Sequence, residues 1–132
     1  MEIDETKRIK VLLAEDNRIN QILVQKVLSK FNIDCVIVTN GKSAVDAVVQ
    51  DDFDVVLLDL MMPVMNGYEA ASAIRSLKNN TKKNIPIIAL SAVVTDSVTE
   101  ICKAIGINKY ISKPFDSDEL YSLIIDLYKK NK

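Results

Sequence analysis

The chain has 132 residues, 48% of them hydrophobic and 27% charged, with a formal net charge of -1. That length holds one domain with a core that needs no disulfide or metal staple, and so small a charge gives no electrostatic reason to expect nucleic acid or an anionic membrane as partner. There is no histidine, and Cys35 and Cys102 stand far apart without CxxC spacing, so transition-metal sites and histidine base catalysis lose their usual residues and the thiols read as reduced and structural.

The opening MEIDETKRIK lacks the apolar segment of a secretory signal, and no run approaches the ~20 residues of a membrane span, so a cytoplasmic domain is expected. A first strand is predicted at residues 11–14 and a helix at 17–31 with helical apolar spacing. A second strand at 35–38 and a helix at 43–49 come next, separated by the turn signal Asn40-Gly41. The third strand, 55–58, runs into Asp59 and a loop with Pro63, Asn66 and Gly67 before a helix at 68–77. A fourth strand at 87–90 leads to a helix at 95–105 that Gly106 closes. A short fifth strand at 110–111 precedes a last helix at 118–128, for which Asp116 and Glu119 have the spacing of a capping box. The lysines 129, 130 and 132 then suit a fraying helix C-terminus.

Strands apolar throughout must be covered on both faces, which implies an α/β fold: a doubly wound five-stranded parallel sheet, (βα)5, with right-handed crossovers. The common strand order for such a sheet is 2-1-3-4-5, with ligands outside the carboxyl ends where the winding reverses. The residues at the strand ends are therefore informative: Glu15 and Asp16 after the first, Asp59 at the end of the third, Ser91 after the fourth, Lys113 and Pro114 after the fifth. Converging carboxylates repel one another and raise each other's pKa unless a divalent cation shares them, and hard oxygen donors suit Mg²⁺. A cation so held completes its shell with phosphate oxygens, Lys113 and Ser91 supply a charge and a hydroxyl for the rest, and Asp59 is placed to attack phosphorus as a nucleophile that needs no base. Singly, Asp59 reads as a turn residue, Glu15 and Asp16 as helix caps and Lys113 as a solvated charge. Four strand ends bringing complementary groups to one edge favour the joint reading.

The stretches VLLAEDN, VVLLDLMMPVMNGYE, IIALSA and KYISKPF, in that order, closely resemble the receiver domain of two-component response regulators, CheY-like, from Lys10 to Tyr128. The resemblance implies a single receiver domain over 1–132, with its core at about 9–129. It implies Asp59 as phosphoacceptor, catalysing its own phosphorylation and dephosphorylation with Ser91 and Lys113 on the phosphoryl group, and a Mg²⁺ site of Glu15, Asp16, Asp59 and the carbonyl of Met61. It further implies a cis peptide between Lys113 and Pro114 and a switch in which Ser91 moves to the phosphate and Tyr110 turns inward. Tyr110 otherwise reads as a half-buried strand aromatic. Met61 and Val93 flank the phosphoryl group in such domains and would slow water entry.

Two non-signalling readings fit less well. A haloacid-dehalogenase-type phosphatase needs a second Asp two residues after its nucleophile, where this chain has Met61. A flavodoxin-like nucleotide binder wants glycines after strand 1, where AEDNRIN is acidic and glycine-free.

AEDNRINQ looks more like the receivers of hybrid histidine kinases than like those fused to DNA-binding domains, so a histidine kinase or histidine phosphotransfer domain is the expected partner, within a parent chain that could be membrane-anchored. Direct contact with nucleic acid or membrane is not expected. On the first helix Leu23, Val24, Val27, Leu28 and Phe31 form the expected inward stripe, leaving Ile22 nearly opposite and Ile19 on the flank as docking residues. The alternative is a stand-alone diffusible regulator whose phosphorylated face of fourth helix, fifth strand and last helix binds a partner, or a second copy as a homodimer.

Overall fold

The computed structural model describes residues 8–131. Met1–Lys7 and Lys132, which the expected domain span and the lysine cluster include, lie outside the described residues. In chain order the elements are β1 (Lys10–Ala14), α1 (Arg18–Lys30), β2 (Asp34–Val38), α2 (Gly41–Gln50), β3 (Val55–Asp59), α3 (Gly67–Arg75), α4 (Asn80–Lys83), β4 (Ile87–Ser91), α5 (Asp96–Ile105), β5 (Lys109–Ser112) and α6 (Ser117–Lys130). The five strands are parallel in the order β2-β1-β3-β4-β5, so the winding reverses between β1 and β3.

Alternation along each strand sorts the core into two layers. Leu12, Val56, Leu58, Ile87 and Ala89 pack beneath α2, α3 and α5, against Ala44, Val48, Ala70, Ile74 and Cys102. Val11, Leu13, Val55, Leu57, Ile88 and Leu90 pack on the other side against Val24 and Leu28 of α1 and Leu120 and Ile124 of α6. Coverage of both faces holds for β1, β3 and β4 but not for the edges: β2 is only partly covered, with Val36 exposed, and Ile111 alone is buried in β5. An edge strand has a neighbour on one side only, and the helices crossing toward the centre leave its outer residues bare.

Local chemistry fixes most helix starts. Asn17, Asn40, Asn66, Thr95 and Asp116 each accept a hydrogen bond from a first-turn amide with the side chain. The reciprocal capping box forms at Asn66 and Glu69, whereas at Asp116 and Glu119 only the Asp116 half is made. Gly106 sits in the left-handed region at φ 99° and closes α5, while the one-turn α4 had no periodicity to announce it. It is held by Arg75, whose fork donates to the carbonyls of Lys83, Ile85 and Gly106 and to Asn108 Oδ1. The α1 stripe needs one correction: Leu23 is 49% exposed, because the centre of the buried face runs through Val24 and Leu28 and puts residue 23 on its margin. Cys102 and Cys35 are both free thiols, buried and half-buried respectively. No helix among the described residues is long and apolar enough to cross a membrane.

Candidate functional site

β1 delivers Glu15 directly past its last residue, and the Glu15 amide continues the ladder by donating to the Val38 carbonyl at 3.0 Å. β3 carries Asp59 as its final residue, inside the sheet, so the acid that ends the apolar run is 6% exposed. Because β1 and β3 are neighbours, Glu15, Asp16 and Asp59 each offer an oxygen within 4.8 Å of the others. Glu15 is fully buried and Asp16 exposed, so the cluster opens toward solvent on the Asp16 side.

Lys113 faces the two buried acids, with Nζ 2.7 Å from Glu15 Oε1 and 3.2 Å from Asp59 Oδ2. Burial raises the Glu15 pKa, Asp59 adds to the rise, and Lys113 opposes it. For Lys113 itself burial works downward, but the two acids outweigh it and the ammonium is held above its usual value. Three carboxylates against one ammonium leave an excess of negative charge on hard oxygen donors, a donor set that fits a small divalent cation such as Mg²⁺.

The other expected residues fall around this cluster. The Met61 amide donates to Asp59 Oδ1 at 3.1 Å while its side chain is exposed. Ser91 ends β4, nearly buried, and its hydroxyl donates to the Val93 carbonyl at 2.6 Å. The Lys113 amide donates to the Ser91 carbonyl at 2.8 Å, and the Lys113–Pro114 peptide is cis. Tyr110 is 46% exposed on β5. Ile19 and Ile22 are exposed on α1, Ile19 the more so.

Two groups that sequence reasoning missed hold the acidic loop: the Asn17 amide donates to Glu15 Oε2 at 3.3 Å, and the Gln21 side-chain amide donates to the Glu15 carbonyl at 2.8 Å. The available signal was position, since Gln21 stands one helical turn beyond the Asn17 cap and so above the loop. Gly67 closes the far side. Its amide donates to the Leu60 carbonyl, and a Cβ there would collide with the Asp59 carbonyl oxygen.

Comparison with known proteins gives this geometry a family. The family model "Response regulator receiver domain" matches residues 11–125. "Hybrid signal transduction histidine kinase I" of Dictyostelium discoideum is 37% identical over 120 residues, 87% of this chain. "Sensor protein GacS" of Pseudomonas syringae is 34% identical over 117 residues, 88% of this chain. The chain spans only 7% and 13% of those two relatives. Among solved structures, the receiver domain of the sensor histidine kinase PA1611 from Pseudomonas aeruginosa PAO1, with a magnesium ion coordinated in its active site cleft, is 32% identical. It has a TM-score of 0.85 over 93% of this chain and 99% of that one. The chemotaxis protein CheY4 of Vibrio cholerae, 24% identical with a TM-score of 0.84 over 92% of this chain and 99% of that one, shares the fold. With the five-stranded order and the family match running from β1 into α6, the chain belongs to the response regulator receiver domains of two-component signalling.

Proposed function

We propose that this domain accepts a phosphoryl group on Asp59 from a phosphohistidine of a histidine kinase or histidine phosphotransfer domain, and relays it as a conformational signal. The observation that carries the reading is the Asp59 carboxylate, nearly buried at the carboxyl edge with Lys113 Nζ at 3.2 Å and two further carboxylates alongside. Glu15, Asp16, Asp59 and the Met61 carbonyl would hold Mg²⁺, which when bound offsets the charge of the incoming phosphoryl oxygens. One Asp59 oxygen forms the new P–O bond as the donor P–N bond breaks, and the imidazole leaves with that electron pair and takes a proton from solvent. Lys113 Nζ neutralises a phosphoryl oxygen, and the Ser91 hydroxyl exchanges its bond to Val93 for another. That exchange frees the space beside β4 into which Tyr110, half exposed in this structure, can turn.

The names of the relatives favour a receiver that works within a hybrid histidine kinase. Ile19 and Ile22, joined by the exposed Leu23, give the donor an apolar surface beside the acidic cluster. Ile19→Ser with Ile22→Ser should slow transfer from a phosphorylated donor without changing labelling by acetyl phosphate. An unchanged transfer rate with an intact fold removes the docking role.

The primary test is the intact mass of the protein after incubation with acetyl phosphate, with and without Mg²⁺. A Mg²⁺-dependent phosphoryl adduct on the parent, absent from Asp59→Asn, is expected. An adduct that persists in folded Asp59→Asn would assign the acceptor elsewhere.

A further inference from the structure

We infer that Gln21 is a positioning residue for the cation site, setting the place of Asp16 through the backbone; this rests on the Mg²⁺ reading above. The Gln21 carboxamide reaches back six residues from α1 and donates from Nε2 to the Glu15 carbonyl at 2.8 Å. Because the acceptor is a carbonyl, only the NH2 end of the carboxamide can face it. Gln21 is itself anchored, its amide donating to the Asn17 carbonyl at 3.0 Å in the first turn of α1.

Glu15 is held without Gln21 at three other atoms: its amide on Val38, Oε1 on Lys113 and Oε2 on the Asn17 amide. Asp16 has no such grip. It is exposed, and its carboxylate has no hydrogen bond or ion pair among the described residues. Its position therefore comes from the backbone, and the peptide plane that joins it to Glu15 contains the carbonyl that Gln21 holds. Fixing that oxygen fixes where the Asp16 Cα departs from the plane. Release would let the plane rotate and swing the Asp16 oxygen away from those of Glu15 and Asp59.

The consequence is selective. Mg²⁺ demands near-octahedral ligands at short distance, whereas Ca²⁺ accepts longer and less regular ones, so a loosened Asp16 should cost Mg²⁺ more than Ca²⁺. A residue that only stabilised α1 would lower the unfolding midpoint and leave the ratio of the two affinities unchanged.

The test titrates MgCl2 and CaCl2 by calorimetry into the full chain as parent, Gln21→Met and Gln25→Met, with unfolding midpoints measured alongside. Met matches the length of Gln without a donor, and Gln25→Met controls for an apolar change one turn further along α1. Gln21→Met is expected to weaken Mg²⁺ about tenfold, the low end for outer-shell partners of metal ligands. Ca²⁺ should weaken less, and Gln25→Met should match the parent. Parent-like Mg²⁺ affinity in Gln21→Met, or an equal loss for both cations, overturns the positioning role and leaves the Mg²⁺ reading standing. A folded parent that binds no Mg²⁺ overturns that reading, and this inference with it.

Discussion

The Lys113 ammonium lies closer to Glu15, at 2.7 Å, than to Asp59, at 3.2 Å, so the charge proposed to meet a phosphoryl group on Asp59 is shared with a second acid. All three side chains are largely buried. Lys113→Met would leave two facing carboxylates without their counter-charge, and breaking a buried pair from one side costs about 3 kcal/mol or more. Urea unfolding should show that loss. Added MgCl2 should then recover more stability in the variant than in the parent, because a cation between Glu15 and Asp59 replaces the missing ammonium. An equal Mg²⁺ effect on both proteins would mean that the ammonium does not compete for those oxygens.

Gly67 carries a second expectation. A Cβ at this position meets the Asp59 carbonyl oxygen and, at 2.8 Å, the Leu60 Cα, both backbone atoms at the end of β3 and just beyond it. Neither is a flexible side chain that can swing aside, so Gly67→Ala must push α3 away from the end of β3 or displace Asp59 itself. A destabilisation of about 1–3 kcal/mol is expected for overpacking of this kind, together with slower acetyl phosphate labelling. A variant as stable and as reactive as the parent would show that the loop absorbs the methyl group.

The strands and the gathering of acids were legible because both follow from short-range signals, and the strand order because one winding is common in sheets of this size. Apolar runs of four residues at 11–14, 55–58 and 87–90 mark buried parallel strands, and an acid placed directly after such a run can only emerge at the carboxyl edge. The features that stayed hidden depend on partners distant in sequence or on side-chain reach. NTKK is too short for an apolar period to announce α4, which Asn79 caps and Arg75 holds through the carbonyls of Lys83 and Ile85. Leu23 has the apolar character of a core residue, and it is exposed because it lies on the margin of the buried face that Val24 and Leu28 centre. Gln21 offers only its place one turn beyond the Asn17 cap, since one hydrogen bond to a carbonyl leaves no trace in composition or periodicity.

Cys35 provides a pH-dependent readout of the β2 edge. Burial pushes its thiol from the usual 9.0 up to about 11. The thiolate is the reactive form, so iodoacetamide should modify the native protein far more slowly than the urea-unfolded chain at neutral pH, with a native rate that keeps rising up to about pH 11. Linkage has the matching sign. Between 9.0 and about 11 the unfolded thiol has released its proton while the native one retains it, so this group lowers stability as pH rises through that window. A native alkylation profile that levels off near 9 would show that β2 leaves the thiol solvated.

Val64 holds the least comfortable backbone near the site. Its φ is 68°, the Met65 amide bonds back to the Pro63 carbonyl at 2.7 Å around it, and its side chain is 80% exposed. A β-branched residue at positive φ, here at the centre of a three-residue turn, costs roughly 1–2 kcal/mol, and an exposed side chain returns little of that through burial. Asn is several-fold enriched at positive φ and avoids the chain entropy that Gly would add to the unfolded state. Val64→Asn should therefore raise the urea midpoint, a gain of about 1 kcal/mol obtained by removing an apolar side chain. Labelling of Asp59 by acetyl phosphate should persist, because the turn closes through backbone atoms that the substitution leaves in place. A lower midpoint would show that the Val64 side chain makes contacts worth more than the strain it imposes. A higher midpoint with slowed transfer from a protein donor would give the strained residue a place on the surface that the donor covers.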